Sequence, residues 1–279
     1  MNGQIELELG MKAKKLSLHD VAKKYFEKAA ELGNAEAMYF LGNELGDSEQ
    51  ALKWYKQAAD KGYKKAFIEI ALLYLEVDNL EHNKREADKW FKFAISSNKL
   101  SAENGDPYAM LAIANAYDIY NSRKSLNYGG LGDKNSSANK WYKFAFATFK
   151  RLANGGNTEA MFEVSKLLHF GNGTAGNDKE SIRWLKKAAE VDDVQVKIRA
   201  YKEIADILKF NETSIFADKS SSGDKAVTFY KKAAELGDFD SMRELWEHYK
   251  EQKNLTEAEK WLKKSEELQA KFLETLPQE

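Results

Sequence analysis

The sequence contains no cysteine and only two prolines, Pro107 and Pro277. Without cysteine there are no disulfides, no thiolate nucleophiles and no cysteine-ligated zinc sites. A disulfide-free chain suits cytosol and periplasm equally. The scarcity of proline leaves long stretches free of helix breakers and rich in Ala, Leu, Lys and Glu, which predicts an all-α protein. Excess charge is missing too: 43 Lys and Arg stand against 44 Asp and Glu, a net charge of -1. No global field would steer such a chain to nucleic acid or to an anionic membrane, so any electrostatic preference must be local. No apolar run reaches the roughly 18 residues that an integral membrane segment needs. Met1-Asn2-Gly3-Gln4-Ile5-Glu6 also lacks the basic region and apolar core of a signal peptide. The chain as it stands reads as soluble and cytoplasmic, whereas removal of a signal peptide would place it in the periplasm. Arginine is scarce as well, with six residues against an abundance of lysine, a bias ascribed to genome composition.

What the chain does have is repetition. An Ala, an aromatic three residues later and an Ala four beyond that recur as Ala51/Trp54/Ala58, Ala87/Trp90/Ala94 and Ala138/Trp141/Ala145, with degenerate copies around Tyr25, Trp184, Phe229 and Trp261. Units of 29 to 51 residues, seven in all, cover 1–33, 34–62, 63–105, 106–156, 157–192, 193–237 and 238–279. Self-similarity at this period predicts an α-solenoid and one continuous repeat domain over 1–279.

Each unit reads as two antiparallel helices, A then B. The clearest A helices span Ala35 to Leu45, Lys65 to Tyr74, Tyr108 to Tyr117, Glu159 to Leu168, Arg199 to Leu208 and Asp240 to Tyr249. Each carries a small residue followed four positions later by an apolar one, such as Ala37/Leu41 or Ala160/Val164, which stacks both on one face. The next position is small in five of the six (Gly42, Ala71, Ala114, Ser165, Ala205), admitting a close neighbour, and Trp246 breaks the rule in the last unit. On the B helices the flanking small residues leave room for the aromatic to lie across helix A, burying about 150–250 Å². Gly33, Gly62 and Gly237 close B helices with the left-handed residue that favours glycine. Asn34, Asp106, Asn157 and Asp238 then cap the following helix, with Pro107 at its first position.

These residues resemble the Sel-like repeat family, relatives of the tetratricopeptide repeats. The most diagnostic stretch is Phe170-Gly171-Asn172-Gly173-Thr174-Ala175-Gly176-Asn177-Asp178-Lys179-Glu180-Ser181, similar to the family's Gly-x-Gly loop and downstream acid between helices A and B. The resemblance implies a right-handed superhelical α-solenoid of about seven antiparallel helix pairs, with the A helices lining a concave surface. The variable period and glycine hinges separate it from a plain tetratricopeptide array.

Departures from the frame are the places to look for function. From the alanine after the aromatic to the closing glycine, short units count four residues (Ala29 to Gly33), while the third and fourth count eleven (Ala94 to Gly105, Ala145 to Gly156). Seven extra residues are two helical turns, roughly 10 Å. Two adjacent long B helices are therefore expected to project together, packing through Ile95 and Leu100 on one and Phe146, Phe149 and Leu152 on the other. The connection from Asp118 to Ser137, holding Tyr120, Tyr128, Gly129-Gly130 and Lys134, is the longest, and Asp206 to Asp224 is a second. Such loops are functional or simply tolerated insertions.

Catalytic constellations are not legible. His19, His82, His169 and His248 are widely separated and form no His-x-x-x-His pair, so neither catalysis, a metal nor a cofactor is expected. Gly171-Asn172-Gly173 lacks the Lys-Ser/Thr and preceding strand of a phosphate loop. More selective is the A-helix stripe one residue before, three after and six after the small residue, expected to face away from the core. It reads Glu36/Phe40/Asn43, Lys65/Glu69/Leu72 and Tyr108/Ala112/Asn115 in the N-terminal half, and Glu159/Glu163/Lys166, Arg199/Glu203/Asp206 and Asp240/Glu244/Glu247 in the C-terminal half. The latter holds seven acids against two bases. The ordinary alternative is a solvated face.

Candidate binding residues are thus Phe40, Asn43, Glu69, Leu72, Tyr108, Asn115, Tyr120, Tyr128, Glu159, Glu163, Glu203, Asp206, Asp240, Glu244 and Glu247. They would suit a protein partner with an apolar anchor and a basic flank. The leading expectation is a bacterial, non-enzymatic protein-binding scaffold. A sharper version is an immunity or inhibitor protein that occludes a secreted toxic effector, a role that some family members look suited to. Other readings are a hydrolase, an activity attributed to some members, and an envelope-assembly scaffold. The sequence does not decide the oligomeric state.

Overall fold

The computed structural model describes residues 3–76, 81–128, 137–213 and 223–277. These residues form fourteen α-helices and no strand, which makes the fold all-α. In chain order they are α1 (Gln4–Lys15), α2 (His19–Glu31), α3 (Ala35–Glu44), α4 (Ser48–Asp60), α5 (Ala66–Glu76), α6 (Glu81–Glu103) and α7 (Pro107–Tyr128). There follow α8 (Ser137–Asn154), α9 (Thr158–Phe170), α10 (Asp178–Ala188), α11 (Val194–Thr213), α12 (Gly223–Glu235), α13 (Phe239–Glu251) and α14 (Leu255–Glu274). Odd-numbered helices are A and even-numbered ones B.

The chain divides into two compact units, Met1–Ala145 and Phe146–Glu279, with the boundary inside α8. In the first, α1 packs on α2, α3 on α4 and α5 on α6, and α2·α3, α4·α5 and α6·α7 join successive pairs. In the second, α9 packs on α10, α11 on α12 and α13 on α14, joined through α10·α11 and α12·α13. Within each unit, helix pairs follow one another in chain order, the architecture of an α-solenoid.

The punctuation follows from local chemistry. Asn34, Asn157 and Asp238 accept from the backbone N–H of Ala37, Ala160 and Ser241, and Asp106 accepts from that of Tyr108. Each such cap is worth about 1 kcal/mol. Gly33, Gly62, Gly105, Gly156 and Gly237 close the preceding B helices at φ between 84° and 98°, where an L side chain is strained. The Gly-Asn and Gly-Asp steps are hinges.

Helix pairing rests on small residues under rings. A Cβ at Gly42 on α3 would lie 2.3 Å from the ring of Tyr55 on α4, and one at Gly10 on α1 would lie 2.6 Å from Phe26 on α2. In the fifth pair the same contact is polar: the buried hydroxyls of Ser165 on α9 and Ser181 on α10 meet at 2.7 Å, and Ser181 Oγ also donates to the Ser165 carbonyl at 3.0 Å.

The ring in that contact is one residue later than the sequence pattern suggests. Trp54, Trp90, Trp141 and Trp184 are only partly buried, whereas Tyr55, Phe91, Tyr142 and Leu185 are in the core. Trp261 is the exception at the C-terminal end, 2% exposed.

Both predicted long connections are shorter than expected. Residues 118–128 continue α7 and residues 206–213 continue α11, because neither stretch contains a proline or glycine to stop a helix already propagating. Residues 129–136, with Gly129-Gly130 and Lys134, and residues 214–222 lie outside the described residues. The long B helices are present, α6 with 23 residues and α8 with 18. Leu100, expected to pack, is instead 71% exposed.

Candidate protein-interaction faces

Three stripe residues serve the helix pairs themselves. The hydroxyl of Tyr55 donates to Asn43 Oδ1 at 2.7 Å, that of Tyr142 to Asn115 Oδ1 at 2.7 Å, and that of Tyr230 to Asp206 Oδ1 at 2.8 Å. All three acceptors occupy the same A-helix position, six residues after the small one. A buried phenol needs a partner for its O–H, and this position supplies it. Where the B-helix ring is Phe91, which has no hydroxyl, the equivalent A-helix residue is the partly buried Leu72. These residues lie beside the core edge, not opposite it.

In the N-terminal unit, the stripe is woven into an aromatic floor. Phe40, expected to be exposed, stacks on Phe26 at 5.2 Å with Lys14 Nζ 5.5 Å from its ring. Tyr39, overlooked in the sequence, touches Phe40, Tyr55 and Tyr63, with centroids 5.6, 5.8 and 5.1 Å away. Its hydroxyl donates a long bond, 3.5 Å, to Glu69 on α5, and Tyr63 donates to Glu36 on α3 at 3.1 Å. Burial, followed by the neighbouring carboxylate, pushes both phenols above their usual range and keeps them donors. The overlooked signal was adjacency: Tyr39 precedes a stripe residue and Tyr63 follows the hinge glycine. Tyr108 is 51% exposed as expected. Tyr120 is partly buried, edge-on to Phe91 at 5.3 Å, and so ties α7 to α6. Tyr128 ends α7, and its side chain lies outside the described residues.

In the C-terminal unit, α11 sits between α9 and α13 as a two-sided ionic bridge. Arg199 reaches Glu159 on α9 at 2.7 Å and Glu203, one turn along α11, at 3.0 Å. The guanidinium lies 3.9 Å from the centre of the Phe162 ring. In the other direction Lys202 reaches Asp240 on α13 at 2.5 Å, and Lys209 pairs with Glu244. Glu163 lies 3.7 Å from Lys166, and Glu247 is exposed. The stripe predicted as seven acids against two bases therefore works as seven against four, because Lys202 and Lys209 reach into it. Long lysine stems let a residue beside the stripe place its charge within it.

Compensation is incomplete on α11. Burial raises Glu203 above the usual carboxylate range despite Arg199, with Glu163 adding repulsion. The protein packed around Asp206 raises it likewise, against the bond from Tyr230.

The Gly-x-Gly stretch is a hinge. Gly171 and Gly173 have φ of 70° and 72°, Asn172 N–H donates to the Leu167 carbonyl, and Asn177 caps α10 by accepting from Glu180 N–H. His169, in the last turn of α9, meets Asp178 at 2.6 Å and the rings of Phe170 and Phe210. Among the described residues, no group of three His, Asp or Glu could hold a metal ion, and no helix is long and apolar enough to cross a membrane.

A family model described as Sel1 repeat matches residues 18–34, 35–63, 158–193, 217–238 and 249–269. The stretch holding α6, α7 and α8 lies between matched segments. One similar solved structure is a protective antigen present in uropathogenic Escherichia coli strains and displaying an SLR fold. It is 22% identical over 94% of this chain and 68% of its own, with a TM-score of 0.35. Another is a Sel1 repeat protein from Oxalobacter formigenes, 23% identical over 94% of this chain and 99% of its own, with a TM-score of 0.36. The comparison with curated proteins gives no match.

Proposed function

We propose that this chain, a Sel1-repeat protein, is a non-enzymatic scaffold that holds a polypeptide along its A-helix faces. Sel1 repeats commonly serve as protein-interaction scaffolds, which supports the general role. The observation that carries the finer reading is the state of α11. Its Glu203 and Asp206 lie one turn apart, and both are raised by burial that their bonds to Arg199 and Tyr230 do not offset. An arriving lysine or arginine would supply the missing positive charge. The exposed ring of Tyr108 and the aromatic floor around Tyr39 and Phe40 provide apolar contact in the N-terminal unit. Because side chains on these faces are already fixed by ion pairs and ring contacts, less entropy is lost on binding.

The test is affinity purification from the native host with wild type and an Asp206→Asn/Glu247→Gln/Glu159→Gln variant, at low and high salt. The expected result is a partner held by wild type, released by salt and weakly held by the variant, with both proteins folded by far-UV circular dichroism. Retention of the same partner with unchanged salt dependence sinks the reading.

A further inference from the structure

The two long B helices carry matching Trp-aromatic-Lys-Phe runs, Trp90-Phe91-Lys92-Phe93 on α6 and Trp141-Tyr142-Lys143-Phe144 on α8. In each, the second residue is buried between helices, and the first and fourth meet edge to face outside, at 6.2 and 6.0 Å. Phe93 is 53% exposed and Phe144 47%. Helical spacing accounts for the contact within each pair, but not for large rings left open to water.

On α6 the pair lines an open cavity within the N-terminal unit. Phe67 of α5 contributes a third ring, 4.8 Å from Phe93 and 6.0 Å from Trp90. Asp60, the last residue of α4, Glu86, one turn before Trp90, and Lys89 also line it. Glu86 is held by Lys89 at 2.5 Å. Among the described residues Asp60 makes no ion pair. The cavity thus combines aromatic rings on its walls with two carboxylates against one lysine, and that lysine is engaged by Glu86, which leaves the charge of Asp60 in excess.

We propose that this cavity receives the guanidinium of an arginine side chain from a polypeptide partner. Aromatic faces attract a cation through their quadrupoles, and a planar, weakly hydrated guanidinium stacks on them better than an ammonium does. Asp60 then supplies a charge-assisted hydrogen bond. A purely apolar side chain would desolvate Asp60 without compensating it, and an anion would meet both the carboxylate and the negative ring faces. The site is built from α4, α5 and α6 without any of the A-helix stripe acids, so it and the A-helix reading can fail independently.

The six indole N–H resonances of the full chain provide the test, with Trp90 assigned by Trp90→Phe. The probes are acetyl-Gly-Arg-Gly-amide and its citrulline counterpart, which keeps the shape and loses the charge. The arginine peptide is expected to shift the Trp90 resonance saturably, with roughly tenfold weaker binding by citrulline and by Asp60→Asn protein. Far-UV circular dichroism establishes that the variant is folded, as expected for an exposed helix-terminal residue. The proposal is overturned if Trp90 does not respond, if citrulline shifts it equally, or if Asp60→Asn leaves the affinity unchanged.

Discussion

The phenol of Tyr142 on α8 donates to Asn115 on α7 at 2.7 Å, and Tyr55 and Tyr230 repeat the bond with Asn43 and Asp206. The helix pair α5/α6 replaces both partners with apolar residues, Leu72 and Phe91. Ring and acceptor thus vary together along the chain.

Coupling between the two positions follows. Tyr142→Phe should cost about 1 kcal/mol by stranding the Asn115 acceptor, and Asn115→Leu somewhat less, since Asp118 also offers its carboxylate to the Tyr142 hydroxyl. The double variant recreates the α5/α6 pairing and should lose clearly less than the sum. A double-mutant cycle by urea denaturation measures this, and strict additivity would show the two residues to be independent.

The close approach of α3 and α4 gives a steeper effect. Gly42→Ala places a methyl group 2.3 Å from the Tyr55 ring, and the overpacking should cost about 1–3 kcal/mol. Gly46→Ala, with nothing within 4 Å, is the matched control. Equal destabilisation of both would mean that α3 and α4 do not pack this closely.

The serine pair should behave like the tyrosine bond in miniature. Ser181→Ala leaves the buried Ser165 hydroxyl without its acceptor and takes the side-chain donor from the Ser165 carbonyl, at a cost of about 1–2 kcal/mol. Ser165→Ala/Ser181→Ala places alanines where the α5/α6 pair has the buried Ala71 and Ala87 at the equivalent positions, and should be milder than the single change. Hydrogen exchange of α9 and α10 amides reports the difference locally.

Glu203 makes stability depend on pH in a definite direction. Its pKa is raised from 4.5 by burial, so the folded chain binds the proton more tightly than the unfolded chain does. This stabilisation is complete below 4.5 and is lost as pH rises through the folded value. Glu203→Gln stays neutral, so it should gain on wild type as the pH climbs above 4.5. Chemical denaturation of both proteins across that range checks the sign, and parallel profiles would refute it.

Hinges, caps and the small residues under the rings were legible because each answers a local requirement: a left-handed backbone, an unsatisfied N–H or a close approach. Which aromatic is buried was not. Ala51/Trp54/Ala58 and Ala51/Tyr55/Ala58 are equally in phase on a helix, and what separates them is the glycine on the facing helix, which periodicity along one helix does not contain. The acidic stripe was misjudged for a related reason. Counting along single helices assigns each charge to its own Cα, whereas Lys202 and Lys209 deliver theirs to α13. The ends of α7 and α11 were missed because the other repeats suggested a length that these two sequences do not enforce.

The closing glycines Gly62, Gly105, Gly156 and Gly237 have nothing within 4 Å of the point where a side chain would start. Their requirement is one of backbone handedness, and no neighbour is moulded to them. The 13-residue α4 and the 23-residue α6 end in the same kind of turn. Such a junction carries no memory of the length of the module it closes, so this lineage can lengthen one helix and change its reach without rewriting the next repeat.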